Sequence, residues 1–439
     1  MTDWQLASII ILGGSVFLMT LGMPVYTAFM AINIIGVYIF MGGSQGLSFL
    51  AASVFDVISM FALIPLVLFI LMGELMYHSG IIPKLISAID KWLGRMPGRL
   101  SLLTVASGSV FATLTSNSLS GVALLGSTLE PEMRKRGVHK SMILGPIAGG
   151  GCLAAMIPPA ALAVLMGAIA KISVGKLLLA IIIPGLLLAF LYAAFIIVRC
   201  TLNPSLAPPY EVKHIPLKEK LSDTAKYILP VAFVIFMVTG VIYAGICTPT
   251  EASATGAASA AILVLVYRTA TKKNIEAAFK NTVSISVMIL CIVAEAQAFS
   301  QILAFTGVSR KIMEIAINIP AHPVVTIIIM QLVILMMGMF MEVIPIMMMT
   351  CPIFIPIIKA LGFDPIWYSV IFLINIEVSQ ITPPYALQLF VLKGVVSPDT
   401  RMMDIYKGVF PFLVMDLICM GLIIAFPDLA LWLPSKLKG

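Results

Sequence analysis

Long apolar stretches, separated by short polar connections, recur along the entire chain. Each is close to the ~20 residues that an α-helix needs to cross a hydrocarbon layer about 30 Å thick. The pattern therefore predicts an all-α, polytopic membrane protein with about ten spanning helices. The expected spans are residues 5–22, 24–42, 56–77, 142–170, 176–200, 225–245, 252–268, 281–301, 364–396 and 407–427.

Two further apolar stretches, residues 100–130 and 324–358, carry polar or proline-rich positions at their centres. The first is interrupted at 116–121 and the second at 338–342. We predict two re-entrant hairpins, because each stretch is long enough to enter the membrane and return on the same side. Non-helical backbone at that depth persists only where protein or a water-filled cavity satisfies its polar groups. The alternative is an ordinary pair of helices joined by a short loop.

Three other segments are more polar. Residues 81–96 and 304–319 each precede a hairpin, and their charged faces are typical of helices that lie in the membrane interface. Residues 201–224 are rich in proline and lysine, which predicts a soluble connection on the inner side of the membrane.

The composition agrees with a lipid environment. Of 439 residues, 60% are hydrophobic and only 11% are charged, and the mean hydropathy is +1.09. Soluble chains carry roughly 25% charged residues. Of the 27 Lys and Arg residues, 20 fall in loops on one predicted side, which the positive-inside rule assigns to the cytoplasm. This asymmetry accounts for the net charge of +7 without a nucleic acid partner, and it places both termini on the outer side.

Targeting and metal-binding signals are weak in this sequence. The N-terminal apolar stretch has no basic residue before it and no cleavage site, so we expect a retained first span and not a signal peptide. The six cysteines and four histidines have no metal-ligand spacing, so no transition-metal site is predicted.

The two halves of the chain match at an offset of 225 to 227 residues. The matching positions are Pro24 with Pro249, Gly80 with Gly307, Pro131 with Pro356, Gly137 with Gly362, Pro158-Pro159 with Pro383-Pro384, and Pro184 with Pro411. Each half holds an odd number of predicted spans, which inverts the second half relative to the first. Inverted repeats with discontinuous helices are typical of secondary transporters that use alternating access. The predicted division is a first repeat at 1–200, a linker at 201–224, a second repeat at 225–427 and a short tail at 428–439.

The paired prolines predict two sodium sites, one in each repeat. A proline lacks an N–H and frees a carbonyl one turn earlier, so each diproline exposes carbonyls at mid-membrane depth. Carbonyl and hydroxyl oxygens suit Na⁺ and are poor ligands for transition metals. The predicted ligands are Thr113, Ser116, Ala154 and Ile157 in the first site, and Gly338, Ser379, Thr382 and Tyr385 in the second. The alternative is that the breaks are packing kinks without a bound ion.

The half-helices that follow the hairpin breaks offer a place for an anionic substrate. Their N-termini carry partial positive charge, which can hold an anion without a buried arginine. The candidate substrate and hairpin residues are Asn117, Ser118, Glu342, Pro158 and Pro383. Ionisable residues inside a membrane are functional candidates by default. Glu342 is expected to bind a cation or to stay protonated in a cavity, and Glu377 either binds or orients the second break.

Several motifs together resemble the large membrane (permease) subunit of tripartite ATP-independent periplasmic (TRAP) transporters over essentially the whole chain. They are Ser120-Gly121, Pro131-Glu132-Met133, Gly137, Ile157-Pro158-Pro159, Ser173-Val174, Pro184-Gly185 and Thr382-Pro383-Pro384. The tip at 116–118 is also similar to that of divalent-anion/sodium symporters. Two departures are Glu342-Val343, where the first tip has serine, and Ser379, where a glycine is common.

The resemblance implies sodium-driven import of an organic acid by an elevator motion, in a bacterial inner membrane with both termini in the periplasm. It also implies two partners, a small four-helix membrane subunit on a separate chain and a periplasmic substrate-binding protein. Glu74 and Glu295 are expected to pair with that subunit or with a hydroxyl. Na⁺ is the expected coupling ion, with two or more ions, and no other cofactor is expected.

Three functions remain open from the sequence. The first is a TRAP importer of a carboxylate or sulfonate, and the second is a stand-alone sodium/dicarboxylate-type symporter without a binding protein. The third is an intramembrane enzyme, which we do not expect because no Ser or Cys stands near a His or Asp at membrane depth to provide a nucleophile and base.

Overall fold

A computed structural model describes residues 3–94, 96–115, 118–208, 215–320, 322–384 and 386–436, with only the backbone described at 112–115. Within these ranges the chain forms helices joined by turns, and no β-strand occurs. The predicted all-α class is therefore confirmed. Seven of the described helical segments are long and apolar enough to cross a membrane, and shorter apolar helices accompany them. The exact number of crossings stays a prediction.

The helices of the first half are α1 (Asp3–Ser8), α2 (Gly14–Thr20), α3 (Val25–Phe40), α4 (Ser44–Ile58), α5 (Ile64–His78), α6 (Ile81–Leu93), α7 (Arg99–Thr115), α8 (Ser118–Lys135), α9 (Lys140–Cys152), α10 (Ala161–Ala170), α11 (Val174–Ala180) and α12 (Ile182–Leu202). The helices of the second half are α13 (Leu217–Asp223), α14 (Leu229–Ile235), α15 (Val241–Tyr243), α16 (Pro249–Val266), α17 (Lys272–Phe305), α18 (Val308–Ile317), α19 (Pro323–Gly338), α20 (Val343–Ala360), α21 (Pro365–Ile381), α22 (Leu387–Val395), α23 (Met402–Ala425) and α24 (Asp428–Ser435).

The order of elements repeats between the halves. Gly80 and Gly307 both adopt positive φ (67° and 75°) and precede the amphipathic helices α6 and α18. Gly137 and Gly362 (φ 75° and 80°) follow the long arms α8 and α20. Left-handed backbone favours glycine, so these four glycines mark the same turns in each half. The hairpin arms α7–α8 therefore correspond to α19–α20, and the broken helices α9–α10 correspond to α21–α22.

Three helices outside the hairpins and the broken helices differ from the prediction. Helix α4 was not predicted, because the polar residues Ser44, Gln45 and Asp56 lower the hydropathy of the segment. It packs against α3 and α17. Helix α17 extends over 34 residues and begins at Lys272, where Thr271 caps its first turn. The predicted span began only at residue 281, because the lysines of the first turns are typical of a polar loop. The second amphipathic helix starts at Val308 and not at 304, because α17 continues to Phe305.

Two further boundaries differ near the hairpin and at the C-terminus. Residues 118–121 were predicted to belong to the first break, but they form the first turn of α8. Residues 428–439 were predicted to be a tail, yet α24 occupies most of them. That helix packs against α11, α12 and α21, so the apolar side chain of Leu429, for example, is partly covered.

The two hairpins pack against the two broken helices. Arms α7 and α8 contact α9, and arms α19 and α20 contact α21. The repeats also cross over, since α10 packs against α20 and α22 packs against α8 and α9. A second group of helices, α3, α4, α5, α16 and α17, packs together, and it meets the first group where α5 contacts α10 and α17 contacts α20. The breaks therefore lie inside a bundle to which both repeats contribute.

Helix α9 lies at the centre of this bundle. Its residues from Ser141 to Cys152 are all buried. Close approach to α23 requires the absence of a side chain at Gly145, where an added Cβ would lie 2.5 Å from the Phe412 ring. Small residues at helix contacts allow dense packing in a membrane, where apolar burial against lipid gives little driving force.

Candidate functional site

Both broken helices end at a diproline. After α9, a 3₁₀ turn at Leu153–Ala155 leads into non-helical backbone, and α10 resumes at Ala161. After α21, the described residues 382–384 and 386 are non-helical, and α22 begins at Leu387. The peptide bonds Pro158-Pro159 and Pro383-Pro384 are both cis. In a regular helix the Ala154 carbonyl would accept the N–H of residue 158, but that residue is a proline and has no N–H. The Ala154 carbonyl is therefore available as a ligand in the way that the sequence predicts.

The first predicted sodium site is partly described. Helix α7, whose backbone includes Thr113, packs against the 3₁₀ turn that contains Ala154. Ala154 is buried and Ile157 is half-buried. The Thr113 side chain and Ser116 lie outside the described residues, as does the hairpin candidate Asn117. The backbone elements of this site therefore meet, and its hydroxyl ligands stay a prediction.

The second predicted site brings Gly338 and Ser379 into contact, since a side chain at 338 would overlap the Ser379 hydroxyl. That hydroxyl donates to the Ile376 carbonyl at 2.6 Å, and the Thr382 hydroxyl donates to the Val378 carbonyl at 2.7 Å. Each hydroxyl oxygen keeps lone pairs for a cation. The Ser379 carbonyl is less free than the sequence suggests, because it accepts the Thr382 N–H at 3.3 Å. Tyr385 lies outside the described residues.

Gln380 joins the second break to the second hairpin tip. Its side-chain amide donates to the carbonyls of Met341 (3.0 Å) and Gly338 (3.4 Å). Gln388 makes a comparable link at the first break, donating to the Ala148 carbonyl at 3.1 Å. Neither glutamine was among the site residues predicted from the sequence, although both lie close to the second diproline along the chain.

A cavity of about 560 Å³ lies between the hairpin tips and helices α5 and α17. Ser118 at the start of α8 and Glu342 at the start of α20 both line it, so the structure brings these two candidates together. Two helix N-termini therefore face one space. Pro158 is buried and Pro383 is exposed, and neither is among the described residues that line the cavity.

Among its described lining residues, the cavity has two acidic side chains and no Lys, Arg or His. One is Glu342. The other, Glu74 on α5, accepts a hydrogen bond from Asn281 at 3.0 Å and lies 3.4 Å from His78 Nε2. Glu295 similarly accepts from the Asn33 amide at 2.8 Å. Among the described residues, Glu74 and Glu295 pair with amides and an imidazole and with no hydroxyl. Pairing with the small subunit, the other expectation, stays a prediction.

Two carboxyl groups are buried behind the second break. Both carboxyl oxygens of Glu377 lack a hydrogen-bond partner of ordinary geometry among the described residues, and the Ser118 hydroxyl lies close to them. Asp416 on α23 accepts a hydrogen bond from the Tyr192 hydroxyl. We did not select Asp416 from the sequence, although an aspartate inside an apolar 24-residue helix was a sufficient signal.

An ionic cluster joins the polar ends of α8 and α9 to the turn before α23. Arg134 donates to both carboxylate oxygens of Asp399 (2.7 and 2.6 Å), and Lys140 donates to Asp404 at 3.0 Å. The Arg134 guanidinium lowers the pKa of Asp399 to about 2. The Ser397 hydroxyl donates to Glu130 at 2.7 Å. The cluster links the first hairpin to the second repeat.

Comparison with known proteins gives a consistent result. A sequence model of the DctM component of the tripartite ATP-independent periplasmic transporter matches residues 12–429. The chain is 28% identical over 418 residues to the ectoine TRAP transporter large permease protein of Halomonas elongata, covering 95% of this chain and 96% of that protein. It is 29% identical over 389 residues to the C4-dicarboxylate TRAP transporter large permease protein of Pseudomonas aeruginosa, covering 88% and 90%.

A solved structure shares the fold. The YdaH transporter of Alcanivorax borkumensis superposes with a TM-score of 0.62 at 16% identity, covering 88% of this chain and 90% of that chain. The similar sequences are transporter permease subunits and not enzymes, which agrees with the expected function class.

Proposed function

This chain belongs to the DctM component family of tripartite ATP-independent periplasmic transporters, and we propose that it is a sodium-driven permease subunit that imports an organic acid anion across a bacterial inner membrane. The observation that carries the proposal is the cavity that Ser118 and Glu342 share. The N-terminus of α8, which faces this space at Ser118, provides positive potential for an anion. A volume of about 560 Å³ is suitable for a small organic acid.

Sodium coupling is supported by the chemistry of the breaks. The Ala154 carbonyl lacks its usual helical donor, and Gly338, Ser379 and Thr382 lie together at the second break. Such oxygen groups are hard ligands for Na⁺. We propose at least two ions, one at each break, because the repeat places equivalent groups in both halves.

The packing supports an elevator motion. The hairpins and broken helices form one group, and α3, α4, α5, α16 and α17 form another. The cavity lies at the boundary, where α5 and α17 face the hairpin tips. Movement of the first group past the second would expose the same cavity to either side. Both termini are proposed to be periplasmic, on the evidence of the basic loops.

The proposed transporter has two further components. We propose a separate small four-helix membrane subunit and a periplasmic substrate-binding protein, as expected for a large permease of this family. Helices α2, α3 and α4 offer apolar side chains for a membrane partner and for lipid, including exposed Phe17, Tyr38 and Phe55.

The test is thermal stability of the chain purified with its small subunit, in Na⁺, K⁺ or choline at equal ionic strength. An ion at ~100 times its dissociation constant adds about 2.7 kcal/mol to the folded state. We expect a rise in melting temperature with Na⁺ alone. Thr382→Val should reduce the rise. Thr201→Val is the matched control, because its hydroxyl makes the same bond to a carbonyl four residues earlier, at 2.7 Å, on an exposed surface.

Uptake into proteoliposomes separates the remaining alternatives. A sodium gradient should drive organic acid uptake only when the binding protein is present. Uptake without that protein would indicate a stand-alone symporter. Equal melting in all three salts, together with uptake that ignores the sodium gradient, would refute sodium coupling.

A further inference from the structure

The two hairpin tips that face the cavity differ in charge. Glu342 is the N-cap of α20 and makes no capping hydrogen bond to that helix. At the repeat offset of 225, the residue that matches Glu342 is the neutral Asn117. The second tip therefore carries a carboxylate where the first carries an amide.

At the first tip, the N-terminus of α8 can attract an anion. Helix α8 is 18 residues long and begins at Ser118, and both Ser118 and Ser120 line the cavity. Its N-terminus carries partial positive charge, and no acidic residue lines the cavity in its first turn. The Glu377 carboxyl close to the Ser118 hydroxyl is buried behind that turn and does not line the cavity. At the second tip, the Glu342 carboxylate offsets the same partial charge on α20.

Glu342 is also the cavity carboxylate without a partner among the described residues. Glu74 is hydrogen-bonded to Asn281 and lies against His78. No described hydrogen bond or ion pair involves Glu342, and no described Lys, Arg or His lines the cavity. A carboxylate in a largely apolar cavity is stabilised by a cation that reaches it. The cavity thus has a positive end at α8 and a negative end at Glu342.

We propose that the transported substrate is an organic acid that also carries a cationic nitrogen, with its carboxylate at the N-terminus of α8 and its nitrogen at Glu342. The proposal rests on the proposed function and specifies the substrate class of the same site. A second carboxylate on the substrate would instead meet Glu342 as a like charge, which disfavours dicarboxylates.

The test compares ligands of similar length that differ in charge at one end. Succinate has a carboxylate at each end of a four-carbon chain, and 4-aminobutyrate replaces one of them with an ammonium group; ectoine is a cyclic zwitterion. The chain is purified with its small subunit in saturating Na⁺, and each ligand is titrated against melting temperature. We expect 4-aminobutyrate and ectoine to bind at least about tenfold more tightly than succinate, the scale of one charge-assisted hydrogen bond.

Variants assign the preference to one residue. Glu342→Gln should bring the three apparent affinities to within about threefold of one another, and Glu342→Asp should retain the preference. Glu74→Gln is the matched control, since it removes the other cavity carboxylate and should leave the preference unchanged.

The possible outcomes separate this inference from the proposed function. Succinate binding as tightly as 4-aminobutyrate to the unmodified protein would overturn the inference while leaving organic acid transport intact. If Glu342 instead binds Na⁺, then Glu342→Gln would weaken the sodium response equally for every ligand and keep their ratio, which also overturns it. Stabilisation by no organic acid at all would refute the proposed function itself.

Discussion

The side-chain amide of Gln380 donates a hydrogen bond to the Met341 carbonyl at 3.0 Å, and thereby joins the second broken helix to the second hairpin tip. The two residues are 39 positions apart. The same amide donates to the carbonyl of Gly338, one of the groups that we propose to hold Na⁺, so Gln380 positions the hairpin tip relative to the break.

Replacing Gln380 should weaken sodium binding. Gln380→Leu removes the donor to the half-buried Met341 carbonyl and to the buried Gly338 carbonyl, and a buried carbonyl left unpaired costs about 1–3 kcal/mol. We expect a lower melting temperature and a smaller Na⁺-dependent rise. The control is Gln45→Leu at an exposed position on α4. An unchanged sodium response in Gln380→Leu would show that the link does not support the site.

Adding a methyl group at Gly338 should disrupt the second site. A Cβ there overlaps the Ser379 hydroxyl, and overpacking typically costs about 1–3 kcal/mol. Gly338→Ala is therefore expected to lose part of the sodium-dependent stabilisation. Gly421→Ala is the matched control, because nothing lies within 4 Å of a Cβ at that position. Sodium titrations of melting temperature compare the two, and identical curves would contradict the prediction.

The buried pair of Tyr192 and Asp416 should contribute to stability in a coupled way. Tyr192→Phe leaves a fully buried carboxyl oxygen without its donor, which should cost about 1–3 kcal/mol. Asp416→Asn changes the acceptor of the same hydrogen bond. A double-mutant cycle on unfolding free energy should give an interaction of about 0.5–3 kcal/mol. Strictly additive effects would indicate that the bond contributes nothing.

The ionic cluster at Asp399 predicts a pH dependence. The folded-state pKa of about 2 lies below the ordinary value of 3.8, so the cluster stabilises the protein above pH ~4 and loses this effect as the pH falls toward 2. Asp399→Asn should lower the melting temperature at pH 7, and the difference from the unmodified protein should narrow only below pH ~4. Asp56→Asn, at an exposed position, is the control. A difference that is constant down to pH 3 and below would rule out the cluster as its source.

Much of the fold is predictable because its signals are local. Apolar length identifies helices, and the diprolines identify breaks at the positions where α9 and α21 end. The offset glycines Gly80 and Gly307 mark the same turn in both halves. Helix α4 and the start of α17 were not predicted, because both segments contain polar residues that are typical of loops. Their helical structure depends on neighbours that the sequence does not identify.

By itself, the sequence determined the helical class, the matching glycines and prolines of the two halves and the diproline positions, since each follows from residue type and spacing along the chain. Only the tertiary structure decided which groups meet. Glu74 is hydrogen-bonded to Asn281, which is 207 residues away along the chain, and Tyr192 is hydrogen-bonded to Asp416, which is 224 residues away. Hydropathy indicates that a segment is apolar enough to be buried. It does not identify which neighbouring helix each face of that segment contacts. The pairing of Ser118 with Glu342 in one cavity therefore required the packed structure.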